Sequence, residues 1–402
     1  GMNQVTGIVI PGCDEIKDIK VVSNTEIRVT VPQTAEPGFV VLKTSKGEIT
    51  TLTKLTFTEP ISIESISPAA LKAGEVLTIK GEYLNLIQEI IFQEGVVVTE
   101  FVSQSRQEIK VIVPVEAAPG KIIISDGAEI PNWIYSEEDL AVTQPTITSI
   151  APNPLKVGQD LTITGSDFDL VAKVILPGGE EIVIEDASDK IVVPTKATTQ
   201  EGKVILVAKS GVKVESTELV LIKPEITALS ATVVKNNGTF KVTGKNLDLV
   251  SEVLFENATV TEFVDQSATS LELLLPAMAT DGKFVLKTAS ETEVEGGALT
   301  FMKPEVTKFS ATEIKAKEDL TLTGKNLDLI TKVTFGSVDG TIVTQSDVSL
   351  TVTVPVGATN GVLALTTLNG TIVKTSQSIK INVTLPNITS IKSAGPGNLI
   401  TI

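Results

Sequence analysis

The chain has 402 residues, of which 42% are hydrophobic, and it carries a formal net charge of −16 with one cysteine and no histidine. The missing histidine excludes serine–histidine and cysteine–histidine nucleophile pairs, and a single cysteine excludes an intrachain disulfide. Because an acidic surface repels phosphate backbones, we expect no nucleic-acid partner. We also expect no enzymatic activity, no cofactor, no metal and no transmembrane segment, since no apolar run is long enough to span a bilayer.

One sequence pattern recurs along the chain and divides it into repeats. Its glycines are Gly81, Gly165, Gly244 and Gly324, at intervals of 84, 79 and 80 residues. A nearly constant interval of this size is typical of one small domain copied along a chain. The four copies read LTIKGEYLNLIQEIIF at 77–92, LTITGSDFDLVAKVIL at 161–176, FKVTGKNLDLVSEVLF at 240–255 and LTLTGKNLDLITKVTF at 320–335.

Prolines mark the junctions between the repeats. A proline has no amide hydrogen for a sheet ladder, so it favours the start of a strand. Five prolines each precede a similar strand-like segment: Pro60, Pro145, Pro224, Pro304 and Pro386. We therefore predict an incomplete repeat one at 1–59, repeats two to five at 60–144, 145–223, 224–303 and 304–385, and a tail at 386–402 that holds the first strands of a further repeat.

The segments within each repeat alternate apolar and polar residues, as in SLTVTVP at 349–355 and GVLALTTLNG at 361–370. Such alternation is typical of strands with one buried face. About seven short strands in roughly 80 residues, with frequent turn signals, favour an immunoglobulin-like sandwich. The predicted fold is therefore an all-β, elongated array of immunoglobulin-like domains.

The repeated glycine and the polar residues that follow it predict a tight turn. We expect each glycine to take a positive φ angle there. We expect the neighbouring Asp167, Asn246 and Asn326 to suit this turn through hydrogen bonds from side chain to backbone. We expect the turn to be completed by Asp169, Asp248 and Asp328. The alternative is a calcium site, which needs about six or more converging oxygen ligands.

These landmarks together resemble the IPT/TIG domain, an immunoglobulin-like module. The resemblance rests on ITSIAPNPLKVGQDLTITGSDF at 147–168 and on VPVGATNG at 354–361. It implies a non-enzymatic protein outside the cell, similar to adhesins and glycan-binding lipoproteins on the outer membrane of Gram-negative bacteria. Its partner is then a protein or a polysaccharide, and the chain acts as a spacer and interaction module in adhesion or glycan capture. The alternatives are a dedicated glycan-binding protein of a polysaccharide-uptake system and an accessory region of a polysaccharide-degrading enzyme.

An insertion in repeat two carries the candidate binding residues. Repeat two is about five residues longer than the other repeats, within EIPNWIYSEEDLAV at 129–142. We expect Trp133 and Tyr135 to stack on a sugar ring, and Asn132 and Glu137 to bind its hydroxyl groups. The alternative is that Trp133 covers a junction between domains.

The two ends of the chain match the halves of one repeat. Residues 2–10 align with 168–176, so repeat one starts after its first two strands. Residues 388–402 align with 147–163, which are those two strands. One interpretation is a fragment of a longer array. The other is head-to-tail self-association, in which residues 387–402 of one molecule add the missing strands to repeat one of the next.

Overall fold

The computed structural model describes residues 1–32, 34–56, 61–128, 131–185, 187–383, 389–392 and 395–398. These residues form β-strands and short 3₁₀ turns without any α-helix, so the predicted all-β fold is confirmed. None of them belongs to a helix that is long and apolar enough to cross a membrane. Two of the boundary prolines, Pro60 and Pro386, lie outside the described residues.

The chain divides into two compact units. One comprises residues 1–144 with 209–212, and the other comprises 145–208 with 213–402. In the first unit, repeat one has a three-stranded sheet in the order β1-β4-β5 and a separate hairpin, β2-β3. Its strands are β1 (Val5–Val9), β2 (Lys20–Ser23), β3 (Glu26–Arg28), β4 (Gly38–Thr44) and β5 (Gly47–Leu55), and a 3₁₀ turn at Met2–Gln4 precedes them.

Repeat two is a sandwich of two four-stranded sheets, β11-β12-β8-β6 and β10-β9-β13-β14, with a short parallel pair, β15-β7. A 3₁₀ turn at Leu84–Leu86 joins the two sheets. The strands are β6 (Ser62–Ser67), β7 (Ala70–Leu71), β8 (Val76–Glu82), β9 (Glu89–Gln93), β10 (Val96–Val98), β11 (Ser103–Gln104), β12 (Glu108–Ile112), β13 (Ala118–Ser125), β14 (Trp133–Tyr135) and β15 (Ala141–Val142).

The second unit repeats this architecture three times. The strands of repeat three are β16 (Thr146–Ala151), β17 (Asp160–Ser166), β18 (Val171–Ile175), β19 (Glu181–Val183), β20 (Lys190–Pro194), β21 (Gly202–Ala208) and β22 (Lys213–Leu219). Those of repeat four are β23 (Glu225–Leu229), β24 (Val233–Val234), β25 (Thr239–Lys245), β26 (Val250–Phe255), β27 (Ala258–Val260), β28 (Asp265–Gln266), β29 (Ser270–Leu274), β30 (Gly282–Thr288) and β31 (Glu293–Phe301). Those of repeat five are β32 (Glu305–Phe309), β33 (Glu313–Lys315), β34 (Asp319–Lys325), β35 (Ile330–Phe335), β36 (Val338–Asp339), β37 (Thr341–Gln345), β38 (Ser349–Thr353), β39 (Gly361–Thr367) and β40 (Ile372–Asn382). The 3₁₀ turns are Phe168–Leu170, Leu247–Leu249 and Leu327–Leu329.

A separate hydrophobic core fills each of repeats two to five. It forms because alternate residues of the facing strands point between the two sheets, as Leu77 and Ile79 of β8 and Ile109 and Val111 of β12 do in repeat two. All four of these side chains are fully buried. Each repeat therefore has the core that an independent domain needs.

The prediction of a positive φ angle at the repeated glycine is wrong. The left-handed residue is instead the one two positions later, and its φ angle lies between 53° and 57° in all four copies. Gly244 is required for another reason: a Cβ atom there would overlap the carbonyl oxygen of Glu225 in the neighbouring strand β23. The residues with the positive angle are Tyr83, Asp167, Asn246 and Asn326.

The aspartates after this turn connect successive repeats in the second unit, which the sequence did not predict. Asp248 of repeat four forms an ion pair of 2.8 Å with Lys156 of repeat three. Lys235 of repeat four lies 2.8 Å from Asp328 and 2.6 Å from Asp347, both in repeat five. Among the described residues no group of three or more acidic or cysteine side chains converges as a metal site would. The carboxylates of Asp248 and Asp328 therefore bind lysine, in a recurring contact between neighbouring repeats.

We expect Lys235→Met to destabilise the second unit near neutral pH but not in acid. Burial opposes the charge on Lys235, but hydrogen bonds to Asp328 and Asp347 outweigh it and raise the lysine pKa. The bond from Lys235 lowers the pKa of Asp347. A carboxyl group whose pKa is lowered in the folded state stabilises the fold at pH values above its unfolded pKa of about 3.9. This contribution is lost as the pH falls through the folded pKa. The raised lysine pKa stabilises the fold at pH values below the unfolded lysine pKa of about 10.4. This contribution is lost as the pH rises through the folded pKa.

Hydrogen exchange of repeats four and five in the wild type and the variant checks this expectation, because the difference in opening free energy should shrink as the pH falls through the lowered folded pKa of Asp347. Lys245→Met is the matched control, since Lys245 pairs with Glu225 at 3.0 Å within repeat four and both side chains are more than half exposed. Such a pair contributes little to stability. A difference for Lys235→Met that persists unchanged in acid would contradict the role of the carboxylates.

In four repeats a serine or threonine hydroxyl group accepts a hydrogen bond from a backbone amide of the preceding long strand. Ser216 accepts a hydrogen bond of 3.0 Å from the backbone amide of Val204, at an irregularity in the pairing of β21 with β22. Repeat four has Gly296 at this position, and the Phe284 ring occupies the space. The other three repeats use Thr51 with Val40, Ser136 with Ile122, and Thr375 with Leu363.

Candidate functional site

The hairpin between β13 and β14 of repeat two positions the aromatic residues. The carboxylate of Asp126 accepts hydrogen bonds from the backbone amides of Ala128, at 3.2 Å, and Asn132, at 3.0 Å. The hydroxyl of Ser125 accepts a third bond of 3.1 Å from the amide of Gly127. These bonds hold the loop against the end of β13, so the strand after it starts in a defined register.

Trp133 and Tyr135 lie side by side on the outer face of β14. Successive side chains of a strand point to opposite faces, so these two share a face and Ile134 between them packs against the core. Each of these two residues is 52% exposed. The strand is also the edge of its sheet. The result is a pair of neighbouring rings that are accessible to a ligand from solvent.

Apolar side chains extend this aromatic pair across the sheet. Tyr135 lies opposite Ile123 of β13, Ile123 lies opposite Ile91 of β9, and Ile91 lies opposite Val97 of β10. Directly opposed residues of neighbouring strands share a face and contact each other. We call this surface the aromatic face and define it by Trp133, Tyr135, Ile123, Ile91 and Val97.

A polar groove borders the aromatic face. Trp133 lies opposite Ser125, which in turn lies opposite Glu89. Glu89 is one wall of an open groove of about 520 Å³. The groove is lined by Ile87, Gln88, Glu89, Thr99, Phe101, Gln104 and Gly127. An apolar platform next to carboxylate, amide and hydroxyl groups is a suitable arrangement for a ligand that has both flat apolar faces and hydroxyl groups.

The structure does not place all four predicted site residues together. Asn132 is exposed and immediately precedes Trp133. Glu137 instead lines a cleft of about 90 Å³ beside Ile63 and Ile66. The separation follows from Ser136, which turns inward and binds the amide of Ile122. The two rings and Asn132 are thus candidates for one site, whereas Glu137 belongs to a different surface.

The other repeats have no aromatic residues at the corresponding positions. Strand pairing aligns Trp133 and Tyr135 with Lys213 and Glu215 in repeat three, where Glu215 forms an ion pair of 2.7 Å with Lys203. Charged or small side chains replace one or both rings elsewhere, so the aromatic face is specific to repeat two. The corresponding pairs are Glu48 and Thr50, Glu293 and Glu295, and Ile372 and Lys374.

The sequence did not point to Ile91, Val97, Ile123 or Glu89. They are ordinary strand residues by type, and only the register of the sheet brings them beside Trp133 and Tyr135. Alternation along each strand is the one signal that was available, because it places Ile91 and Ile123 on outward positions next to the buried Ile90 and Ile124.

Comparisons with known proteins identify the domain type. The family model of the IPT/TIG domain matches residues 145–219 and 304–387. No curated protein matches the chain. Similar solved structures include one described as a crystal structure with xylogluco-oligosaccharide, with 18% identity over 66% of this chain and 73% of that chain and a TM-score of 0.25. Another is an SGBP-B from a mixed-linkage glucan utilization locus of Bacteroides ovatus, in complex with a mixed-linkage heptasaccharide (19% identity, 64% and 76% coverage, TM-score 0.20).

A third similar structure is a tandem from titin, with 14% identity over 58% of this chain and 98% of that chain and a TM-score of 0.26. The family matches fall in repeats three and five, whose strand order and 3₁₀ turn repeats two and four share. These two segments match the IPT/TIG domain model, and the chain is a tandem array of all-β, immunoglobulin-like repeats.

Proposed function

We propose that this chain is a non-enzymatic cell-surface binding protein that captures a glycan on the aromatic face of repeat two. The other repeats act as spacers that carry this domain. The observation that supports the proposal best is the pair of half-exposed rings, Trp133 and Tyr135, on one face of an edge strand. In the corresponding positions repeat three has a lysine and a glutamate.

The chemistry of a sugar ring suits this surface. A pyranose has apolar C–H faces, which pack on aromatic rings, and equatorial hydroxyl groups, which need hydrogen-bond partners at the edge. Trp133 and Tyr135 supply the flat surface, while Asn132 beside them and Glu89 in the bordering groove supply the polar groups. An open face at a sheet edge admits an internal segment of a long polysaccharide, which an enclosed pocket would exclude.

We expect Trp133→Ala to abolish most glycan binding with little loss of stability. Truncating a central aromatic residue of a binding site costs about 2 kcal/mol or more, which corresponds to about a 30-fold weaker affinity. Affinity electrophoresis measures this in gels that contain soluble polysaccharides, with neutral glucans, xyloglucan and mixed-linkage glucan beside acidic polymers. Tyr135→Ala should weaken binding in the same way.

The matched control is Lys213→Ala together with Glu215→Ala, which changes the same strand positions in repeat three and should leave binding intact. Hydrogen exchange of repeat two should be the same in Trp133→Ala and the wild type, because removing a half-exposed side chain opens no cavity. Two results would overturn the proposal. One is that no polysaccharide retards the wild type, and the other is that Trp133→Ala unfolds repeat two, as a residue that covers a junction would.

A further inference from the structure

An apolar row crosses all four strands of one sheet in repeat two. Along the strand order β14-β13-β9-β10, the directly opposed residues are Tyr135, Ile123, Ile91 and Val97. Tyr135 at one end of the row is 52% exposed, and Val97 at the other end is 51% exposed. Solvent therefore reaches the far end of the row as well as the end that carries the aromatic rings.

Repeats three, four and five interrupt this row with polar side chains at both ends. In repeat three, Glu215 takes the place of Tyr135, although the two middle residues remain isoleucines. Glu181 takes the place of Val97 in the same repeat. The apolar residue at the far end thus occurs in the repeat that also carries the rings, which indicates one continuous surface. The end residues of the other two repeats are Glu295 and Thr259, and Lys374 and Asp339.

The length of the row determines how much of a ligand can lie on it. Neighbouring strands are about 4.8 Å apart, so the three steps from β14 to β10 span about 14 Å. One sugar unit of an extended glycan is about as long as one strand spacing. A glycan chain that crosses the strands therefore places one unit over each strand, and four consecutive units cover the row.

Polar side chains flank the row on both sides. The outward positions of β9 are Glu89, Ile91 and Gln93, because the residues between them, Ile90 and Phe92, are buried. Each flanking residue is about 7 Å from Ile91 along the strand. A carboxylate and an amide can thus bond hydroxyl groups on the two edges of a flat glycan chain whose ring faces rest on the apolar row.

We propose that the aromatic face holds four consecutive sugar units of an extended, ribbon-shaped glycan that lies across the strands. The first units pack on Trp133 and Tyr135, and the fourth packs on Val97. A helical glycan does not fit this row, because its successive rings turn away from a common plane. The face is taken to bind glycan, as in the proposed function, and the new elements are the direction of the chain, its minimum length and the role of Val97.

Titration calorimetry of the full chain with cello-oligosaccharides, from the disaccharide to the hexasaccharide, tests this proposal. Their equatorial linkages give an extended ribbon, so wild-type affinity should rise with each unit up to the tetrasaccharide and then level off. Val97→Glu should weaken hexasaccharide binding about tenfold and leave trisaccharide binding unchanged, because it places a charge under the fourth unit only. Repeat three folds with Glu181 at this position, so the substitution should not unfold repeat two.

Ile112→Glu is the matched control for the added charge. Ile112 is also 51% exposed, but it belongs to β12 in the opposite sheet of repeat two. This variant should bind the hexasaccharide as the wild type does. Malto-oligosaccharides of the same lengths are the control for ligand shape, because their axial linkages make the chain coil, and they should bind much more weakly.

Four results would overturn the proposal. They are unchanged hexasaccharide binding by Val97→Glu, equal losses in Val97→Glu and Ile112→Glu, affinity that levels off at the disaccharide, and equal binding of the malto-oligosaccharides. In each case a loss of binding by Trp133→Ala would still support the proposed function, with a shorter glycan site at the rings. If no cello-oligosaccharide binds while another polysaccharide retards the wild type in a gel, the four-unit ribbon is wrong and the proposed function stands.

Discussion

Replacing Gly244 with alanine lowers the stability of repeat four by about 1–3 kcal/mol, the range observed for groups forced into a packed interior. The new Cβ atom overlaps the carbonyl oxygen of Glu225, a backbone atom that no side-chain rotation can move aside. The strands β23 and β25 must then separate where Ile226 lies opposite Gly244. Hydrogen exchange of residues 225–245 measures the effect, and it reports on this repeat alone.

Gly282→Ala is the matched control for this prediction. Gly282 also lies in repeat four, but an added Cβ meets only the side chain of Glu256, at an ordinary contact distance of 3.5 Å. Its substitution should leave exchange nearly unchanged. Equal effects of the two substitutions would show that the repeated glycine is needed for something other than close approach of the two strands.

We expect Gly296→Ser to destabilise repeat four about as much as Gly244→Ala does. Adding Phe284→Val to the same chain should restore part of the lost stability. A side chain at Gly296 overlaps the Phe284 ring, which is fully buried and packs edge-on against Phe240 at 5.6 Å. Phe284→Val alone leaves a cavity and costs about 2–4 kcal/mol. The double variant recreates the residue pair of repeat three, in which the hydroxyl of Ser216 accepts a hydrogen bond from the backbone amide of Val204.

The measurement is a double-mutant cycle on the opening free energies of β30 and β31, obtained from hydrogen exchange. Whole-chain melting is unsuitable, because an array of several domains does not unfold in one step. We expect a favourable coupling of about 0.5–3 kcal/mol, the range for residues in direct contact. Additive effects of the two substitutions would mean that the ring and the hydroxyl group do not compete for one space.

Local patterns were enough to predict the domain type and the repetition. Alternating side chains define a strand within a few residues, and turn residues such as Asn246 and Asn326 tolerate the left-handed conformation at their own positions. These properties depend only on near neighbours in the chain. The same reasoning singled out Trp133 and Tyr135, because two aromatic residues in an insertion are unusual in a chain with only 4% aromatic residues.

Properties that depend on which strands meet were decided by the tertiary structure alone. The close approach of Glu225 to Gly244, the contact of Lys235 with Asp328 and the row from Tyr135 to Val97 each join residues that are distant in sequence. A shift of one residue in pairing turns every side chain to the opposite face, so composition cannot select the partners. The register of the sheets therefore determined which residues surround the two rings and why the repeated glycine is required.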